Sequence, residues 1–350
     1  MARRRKKKSK KGLVFLLILL LIGGVTFYVM NNSDAKKEID KLSPVKKLKI
    51  VDEDSKTRPI AVMINNNHAA WPHAGLDDAY ITYEILAEGG ITRLMALFKD
   101  QDTAKIGSVR SARPYYLDYA LENDAIYVHF GWSDAAKSDI SSLGVDNING
   151  LTASSVFWRD TKLKKASEHT AFTSIERIKE YAKEKGYDRD TNKDLLLNYS
   201  VDEIDLSKRE DALKADDIFI KYSYYTNSSY KYDANNKVYM RSMSGTAHTD
   251  AITGKQYSYK NIIISVIKNY SYDSYGRQKL ENIGSGDGYY ITNGYAIPIT
   301  WKKSSRSSQT VYTDKEGNEI KVNDGNTFIQ ITPVGQDLTI EGEEPQSDSE

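Results

Sequence analysis

The chain contains no cysteine. That removes disulfide staples, thiolate metal sites and a cysteine nucleophile, and also the acylated cysteine that defines a mature lipoprotein. Stability outside the cell would then rest on a core of ordinary size. Catalytic signatures are missing too. There is no G-x-S-x-G nucleophile elbow. Gly284-Ser285-Gly286-Asp287-Gly288 lacks the Lys-Ser/Thr that completes a P-loop, so it reads as a flexible turn. His68, His73, His169 and His248 show no metal-ligand spacing, and Pro72 between His68 and His73 prevents a shared helical face. No internal repeat is present.

Acidic residues are absent from the first 33 positions, and this hides in the overall balance of 49 Lys+Arg against 48 Asp+Glu. With the eight cations of residues 3–11 set aside, 41 remain against all 48 carboxylates, a net of −7 for the rest of the chain. An acidic body of this kind argues against non-specific nucleic-acid binding, which needs positive surface. A local basic pocket stays compatible with it.

Only one long hydrophobic run occurs, Leu13 to Met30, and it carries no charge. Eighteen helical residues span roughly 27 Å, close to the thickness of the hydrocarbon layer. The pattern predicts a signal anchor: a basic cytoplasmic stub (1–12), a transmembrane helix (13–30) and the bulk of the chain on the extracytoplasmic side. A cleaved signal peptide is the rival reading, but the apolar core is long for one and no clear A-x-A site follows.

Residues 31–57 read as a charged linker. From Arg58 the texture changes. Pro59 to Ile64 looks like a buried strand, Ala79 to Ala87 fits helix or strand, and Thr92 to Lys99 alternates as a strand. Pro114 opens a helical stretch to Leu121, Ala125 to Phe130 is a second strand, and Ser133 and Ser174 are N-caps for helices over Asp134–Ser142 and up to Lys185. This is α/β layering, assigned to residues 58–190. Residues 191–216 read as a connector. Beyond it, 217–335 forms a β-rich (α+β) domain with strands at 217–222, 230–242, 261–270, 288–301 and 328–332. Residues 336–350 read as an acidic disordered tail.

Chemistry concentrates in a few places. Arg110 and Arg113 stand three apart, interleaved with Ser108 and Ser111, just before the helix start at Pro114. Guanidinium forks beside unpaired backbone N–H groups suit phosphate or carboxylate. Glu88-Gly89-Gly90-Ile91-Thr92-Arg93 adds a carboxylate, a hinge and a third arginine. The competing reading pairs these arginines internally with Asp77, Asp78, Glu84, Glu88 or Asp118. Asp77, Asp78 and Glu84 are candidate Mg²⁺ ligands, although their spacing does not demand it. His129, at a strand end, is the candidate general base or a structural hydrogen-bonder. Fifteen of the 25 tyrosines follow residue 219. They read either as a carbohydrate platform or as ordinary strand residues.

Three segments, Glu88 to Arg93, Gly107 to Pro114 and Val128-His129-Phe130-Gly131, carry a resemblance to the YerB-like family of bacterial envelope proteins, a domain of unknown function mostly of Gram-positive type. The resemblance spans roughly 57–335 and implies an N-terminal and a C-terminal part. Many relatives are lipoproteins; this cysteine-free chain departs from them. The layout of basic end, anchor and outer α/β domain is also similar to that of the LytR-CpsA-Psr enzymes, whose arginines and carboxylates hold a polyprenyl pyrophosphate with Mg²⁺. The expectation is a cell-envelope protein that binds an anionic ligand through Glu88, Arg93, Ser108, Arg110, Ser111 and Arg113. The alternatives are a wall enzyme handling lipid-linked pyrophosphate glycans, or a scaffold for an envelope protein.

Overall fold

A computed structural model describes residues 46–342. The expected anchor at 13–30 lies outside the described residues, and among those described no helix is long and apolar enough to cross a membrane. Residues 48–342 belong to one compact unit.

The body is strand-rich α+β. Its centre is an 11-stranded sheet built mainly from β1 (Ile60–Asn65), β2 (Ile81–Leu86), β3 (Thr92–Phe98), β4 (Ile126–His129), β5 (Asn147–Asn149), β6 (Asn261–Ile267), β7 (Gly284–Thr292), β8 (Tyr295–Lys303) and β9 (Thr327–Pro333). The order is Leu213–Lys214, β8, β7, β6, β9, β2, β3, β1, β4, β5, with Val311–Thr313 beside β8. β9 runs parallel to both β6 and β2 (Ile263↔Ile329, Tyr83↔Ile329). The two sequence halves are therefore joined through shared backbone pairing.

Both faces of this sheet are covered, which explains the unbroken hydrophobic runs. Along β1, Ala61 and Met63 enter one core while Ile60, Val62 and Ile64 enter the other, the period-2 division that a strand imposes. The first face is covered by helices α1 (Pro114–Glu122) and α2 (Asp134–Ser142). The second is covered by α3 (Ile175–Lys185) and by a six-stranded sheet that includes Asp217–Lys221, Asn227–Asp233 and Val238–Met243. Helix starts follow the expected capping: Ser133 Oγ accepts from Ala136 N at 3.2 Å and Ser174 Oγ from Arg177 N at 3.3 Å.

Several expectations need correction. The linker end is part of the body: Leu48 and Val51 are buried, and Lys49 and Ile50 donate backbone N–H groups to the Asp324 carboxylate. The connector contributes Asn198–Ser200 and Leu213–Lys214 as strands. Within the expected tail, Leu338–Glu341 pairs with Asp217–Lys221, so edge pairing outweighs its acidic composition. The glycine-rich stretch is the start of β7. A Cβ on Gly288 would lie 2.0 Å from the Ile264 carbonyl oxygen, and one on Gly286 2.8 Å from the Trp301 indole nitrogen. Those glycines serve close strand packing. The span 288–301 is a hairpin, turned by Asn293 (φ 52°) and Gly294 (φ 79°), the geometry a two-residue primed turn requires.

Candidate functional site

β1, β2, β4 and β5 all end at the same edge of the sheet, because β1 is parallel to β4, β4 to β5, and β3 is antiparallel to both β1 and β2. Carboxyl ends of parallel strands are where α/β proteins gather ligand groups. The Arg/Ser loop lies there, fixed by its backbone. Asn65 N donates to Ser108 O at 2.9 Å, Arg110 N to Met63 O at 2.9 Å, Phe130 N to Arg110 O at 3.0 Å and Ala112 N to Gly131 O at 2.9 Å.

The structure brings Glu88, Arg93 and Arg113 together. Arg113 donates through Nε to Glu88 Oε1 and through Nη2 to Oε2 at 3.0 Å. Arg93 reaches Glu88 Oε2 at 3.4 Å and the Ser111 carbonyl at 2.6 Å. Glu88 sits in a tight turn in which Gly89 (φ 69°) and Gly90 (φ 71°) are both left-handed, a conformation costly for other residues. Burial by itself would raise the Glu88 pKa, but the Arg113 hydrogen bond and both arginine charges hold it below the usual range. Burial, with the Arg113 and Arg110 charges, lowers Arg93 to about 10, so it stays cationic at neutral pH.

Arg110 differs from its neighbours. Its guanidinium is half-buried and makes no hydrogen bond or ion pair with any described residue, while Glu168, Arg113, Arg159 and Glu88 lie within electrostatic reach. Ser111 is half-buried beside Gly131. Ser108 is fully buried and its Oγ has no partner among the described residues. Internal pairing thus accounts for Arg93 and Arg113 and leaves Arg110 unexplained.

The other candidates lie elsewhere. His129 is buried with both ring nitrogens occupied, Nδ1 by the Gly131 carbonyl at 2.8 Å and Nε2 by Asn147 Oδ1 at 3.1 Å, and burial lowers its pKa. It is placed to hold the 129–131 turn. Asp77 and Asp78 are exposed, and Asp78 accepts from Thr103 Oγ1 at 2.6 Å. Glu84 does not converge with them. It is fully buried and accepts from Arg241 Nη2 and Thr92 Oγ1, each at 2.7 Å, and from Ser228 Oγ at 2.8 Å. Its lone pairs are taken, which argues against the Mg²⁺ assignment. Among the described residues no group of three or more His, Cys, Asp or Glu side chains could hold a metal.

Behind the site runs a polar relay that sequence reading missed. Arg241, at 0% exposure, donates to His248 Nδ1 at 2.6 Å; His248 Nε2 lies 2.7 Å from His73 Nδ1, and His73 Nε2 lies 2.8 Å from Asn65 O. Asn65 Nδ2 in turn contacts His169 Nδ1 at 2.9 Å. These residues are 7 to 175 positions apart in the chain, so no local pattern could reveal them.

The domain described as "Protein of unknown function (DUF3048) N-terminal domain" matches residues 47–188, and its C-terminal counterpart matches 218–329. YerB of Bacillus subtilis (strain 168), provisionally named a lipoprotein, is 34% identical over 298 residues, covering 83% of this chain and 86% of that protein. The crystal structure of YerB from Bacillus subtilis superimposes with a TM-score of 0.72 at 30% identity, covering 84% of this chain and 99% of the other.

Proposed function

We propose, since the chain belongs to the YerB-like (DUF3048) family, that it is an envelope-associated extracytoplasmic protein that binds an anionic ligand at the Arg110 loop. The observation that carries this reading is the Arg110 guanidinium: half-buried, without a hydrogen-bonding partner among the described residues, beside Arg93 and Arg113 that are already satisfied by Glu88. Withdrawing a guanidinium from water without supplying acceptors costs free energy. A phosphate or carboxylate supplies those acceptors bidentately. Arg93, Arg110, Arg113 and Arg159 against the carboxylates of Glu88 and Glu168 leave the neighbourhood net positive, which favours an anion further.

The test is calorimetric titration of the full chain with inorganic pyrophosphate and with citrate. Arg110→Ala is expected to weaken binding roughly 10- to 100-fold, the value of a charge-assisted hydrogen bond. Arg110→Lys keeps the charge without the fork and should recover only part of the loss. Equal affinity in wild type and Arg110→Ala would refute the reading.

A further inference from the structure

Next to the Arg110 loop lies an aromatic ledge supplied by both halves of the chain. His68, just past the end of β1, stacks on Tyr225 with ring centroids 4.3 Å apart and planes 15° from parallel, and meets Trp71 at 4.4 Å. Tyr224 lies edge-on to Tyr225, 6.5 Å away with planes 63° apart, so the two rings present separate faces. Tyr224 is 91% exposed and Tyr225 38% exposed, so both rings are open to a ligand. The segment bearing them is pinned to the site: Ser223 Oγ and Thr226 Oγ1 donate to the Gly90 carbonyl at 2.6 and 2.9 Å. Gly90 follows Gly89 and Glu88, so the ledge is built onto the same turn that holds Arg93 and Arg113. The ledge is thus held in place by ordered backbone.

Resting on the anion site proposed above, we infer that the ligand is an anionic glycan, its sugar rings lying on Tyr224 and Tyr225 and its phosphate or carboxylate substituent meeting Arg110. Tyrosine suits this use. Its face is flat and apolar like that of a sugar ring, its hydroxyl remains wet, and it has few rotamers to lose on binding. A bare inorganic anion would leave the ledge unused, and a neutral glycan would leave Arg110 unpaired.

Four probes separate the possibilities in titrations of the full chain: inorganic pyrophosphate, neutral chitohexaose, a glucuronate-containing oligosaccharide, and a sugar-substituted poly(glycerol phosphate). One of the two charged glycans is expected to bind at least tenfold more tightly than either pyrophosphate or chitohexaose, and which one does so identifies the anionic group. Tyr224→Ala and Tyr225→Ala should each weaken that glycan roughly three- to tenfold and leave pyrophosphate affinity unchanged. Tyr224→Phe, which keeps the flat face, should retain most of the affinity; its exposed position makes misfolding an unconvincing cause of loss in Tyr224→Ala. Glycan binding that ignores both tyrosine variants overturns the inference. So does a failure of both charged glycans to bind more tightly than pyrophosphate. In either case, pyrophosphate binding that depends on Arg110 leaves the anion site standing, whereas no binding of any probe removes both readings together.

Discussion

His73 Nδ1 and His248 Nε2 are 2.7 Å apart in the buried interior, and the direction of the hydrogen bond between them is determined by their neighbours. Arg241 can only donate, so His248 Nδ1 accepts, its Nε2–H donates to His73, and the His73 Nε2–H donates to the Asn65 carbonyl. Both rings must be neutral for this chain to exist. Burial lowers both pKa values, with the Arg241 charge adding to it: His73 to about 3 and His248 well below its ordinary value.

This gives an acid sensitivity with a definite sign. Unfolded histidines take up protons near pH 6.5, whereas in the folded chain they resist until near pH 3 for His73. Stability is therefore full above about pH 6.5 and lost as pH falls below it, by about 1.4 kcal/mol per pH unit for each histidine. Urea midpoints should stay level from pH 7.5 to about 6.5 and fall from there to pH 5, and His73→Gln, though less stable at pH 7.5, should show a shallower fall. A slope unchanged in that variant would mean other groups carry the acid response.

Arg241 and Glu84 form an ion pair at 2.7 Å with neither side chain exposed. Removing one partner leaves the other charge buried. Arg241→Met should cost about 3–5 kcal/mol in denaturant unfolding, and Glu84→Gln combined with Arg241→Met should recover part of that loss. A double variant as unstable as the sum of the two singles would show that the pair is not coupled.

Arg110 and Arg113 should behave oppositely in stability and binding. Arg110 has no partner to lose, so Arg110→Ala should leave the melting temperature within a degree or two of wild type, equivalent to less than about 0.5 kcal/mol. Arg113→Ala strips Glu88 of its main partner and should destabilise by roughly 1–3 kcal/mol. Differential scanning calorimetry of the two variants without ligand settles the contrast.

Asp77, solvent-exposed but partly desolvated by its surroundings, is raised to about 6 by that desolvation and by repulsion from Asp250 and Asp78. Asp250 stays ionised below its usual range despite burial, because Tyr257 and backbone N–H groups of Thr253, Gly75 and Ile252 donate to it. The folded state thus disfavours ionised Asp77. This penalty is absent below about pH 4 and fully present above about pH 6. Asp77→Asn should stabilise the protein at pH 7.5 by no more than about 1 kcal/mol, given solvent screening at this exposed position, and the gain should vanish at pH 4.

Much of the N-terminal half was legible in the sequence because its elements carry local signals. Pro114 at the first helical position, Ser133 and Ser174 as caps, and the apolar run before Asn65 predicted their elements within a residue or two. The second half was harder to read. Asn293-Gly294 is a strong hairpin signal that a run of strand-formers on both sides obscured, and the role of Gly286 and Gly288 depends on Trp301 and Ile264, which only the fold brings near. At the site, the convergence of Glu88 with Arg113 was available as one pairing among several. That Arg110 would be left over was not, because it depends on the path of the loop past Met63 and Phe130. The tyrosine excess after residue 219 was visible, but not that the segment carrying two of them would be pinned to the Gly90 carbonyl through Ser223 and Thr226.

The position of β9 between β6 and β2 has a consequence for how the chain reaches its native state. Until residues 327–333 are present, β2 has an open edge on one side and β6 on the other, and the central sheet exists only as two incomplete pieces. Pairing Tyr83 with Ile329 closes a loop of more than 240 residues, the kind of non-local contact that makes folding slow. Nearly the whole polypeptide must therefore emerge from the ribosome, or from an export channel, before the fold can lock. In that interval the exposed edges are templates for misassociation. Truncations that stop short of β9 should behave as aggregation-prone fragments even when every residue of the Arg110 loop is intact.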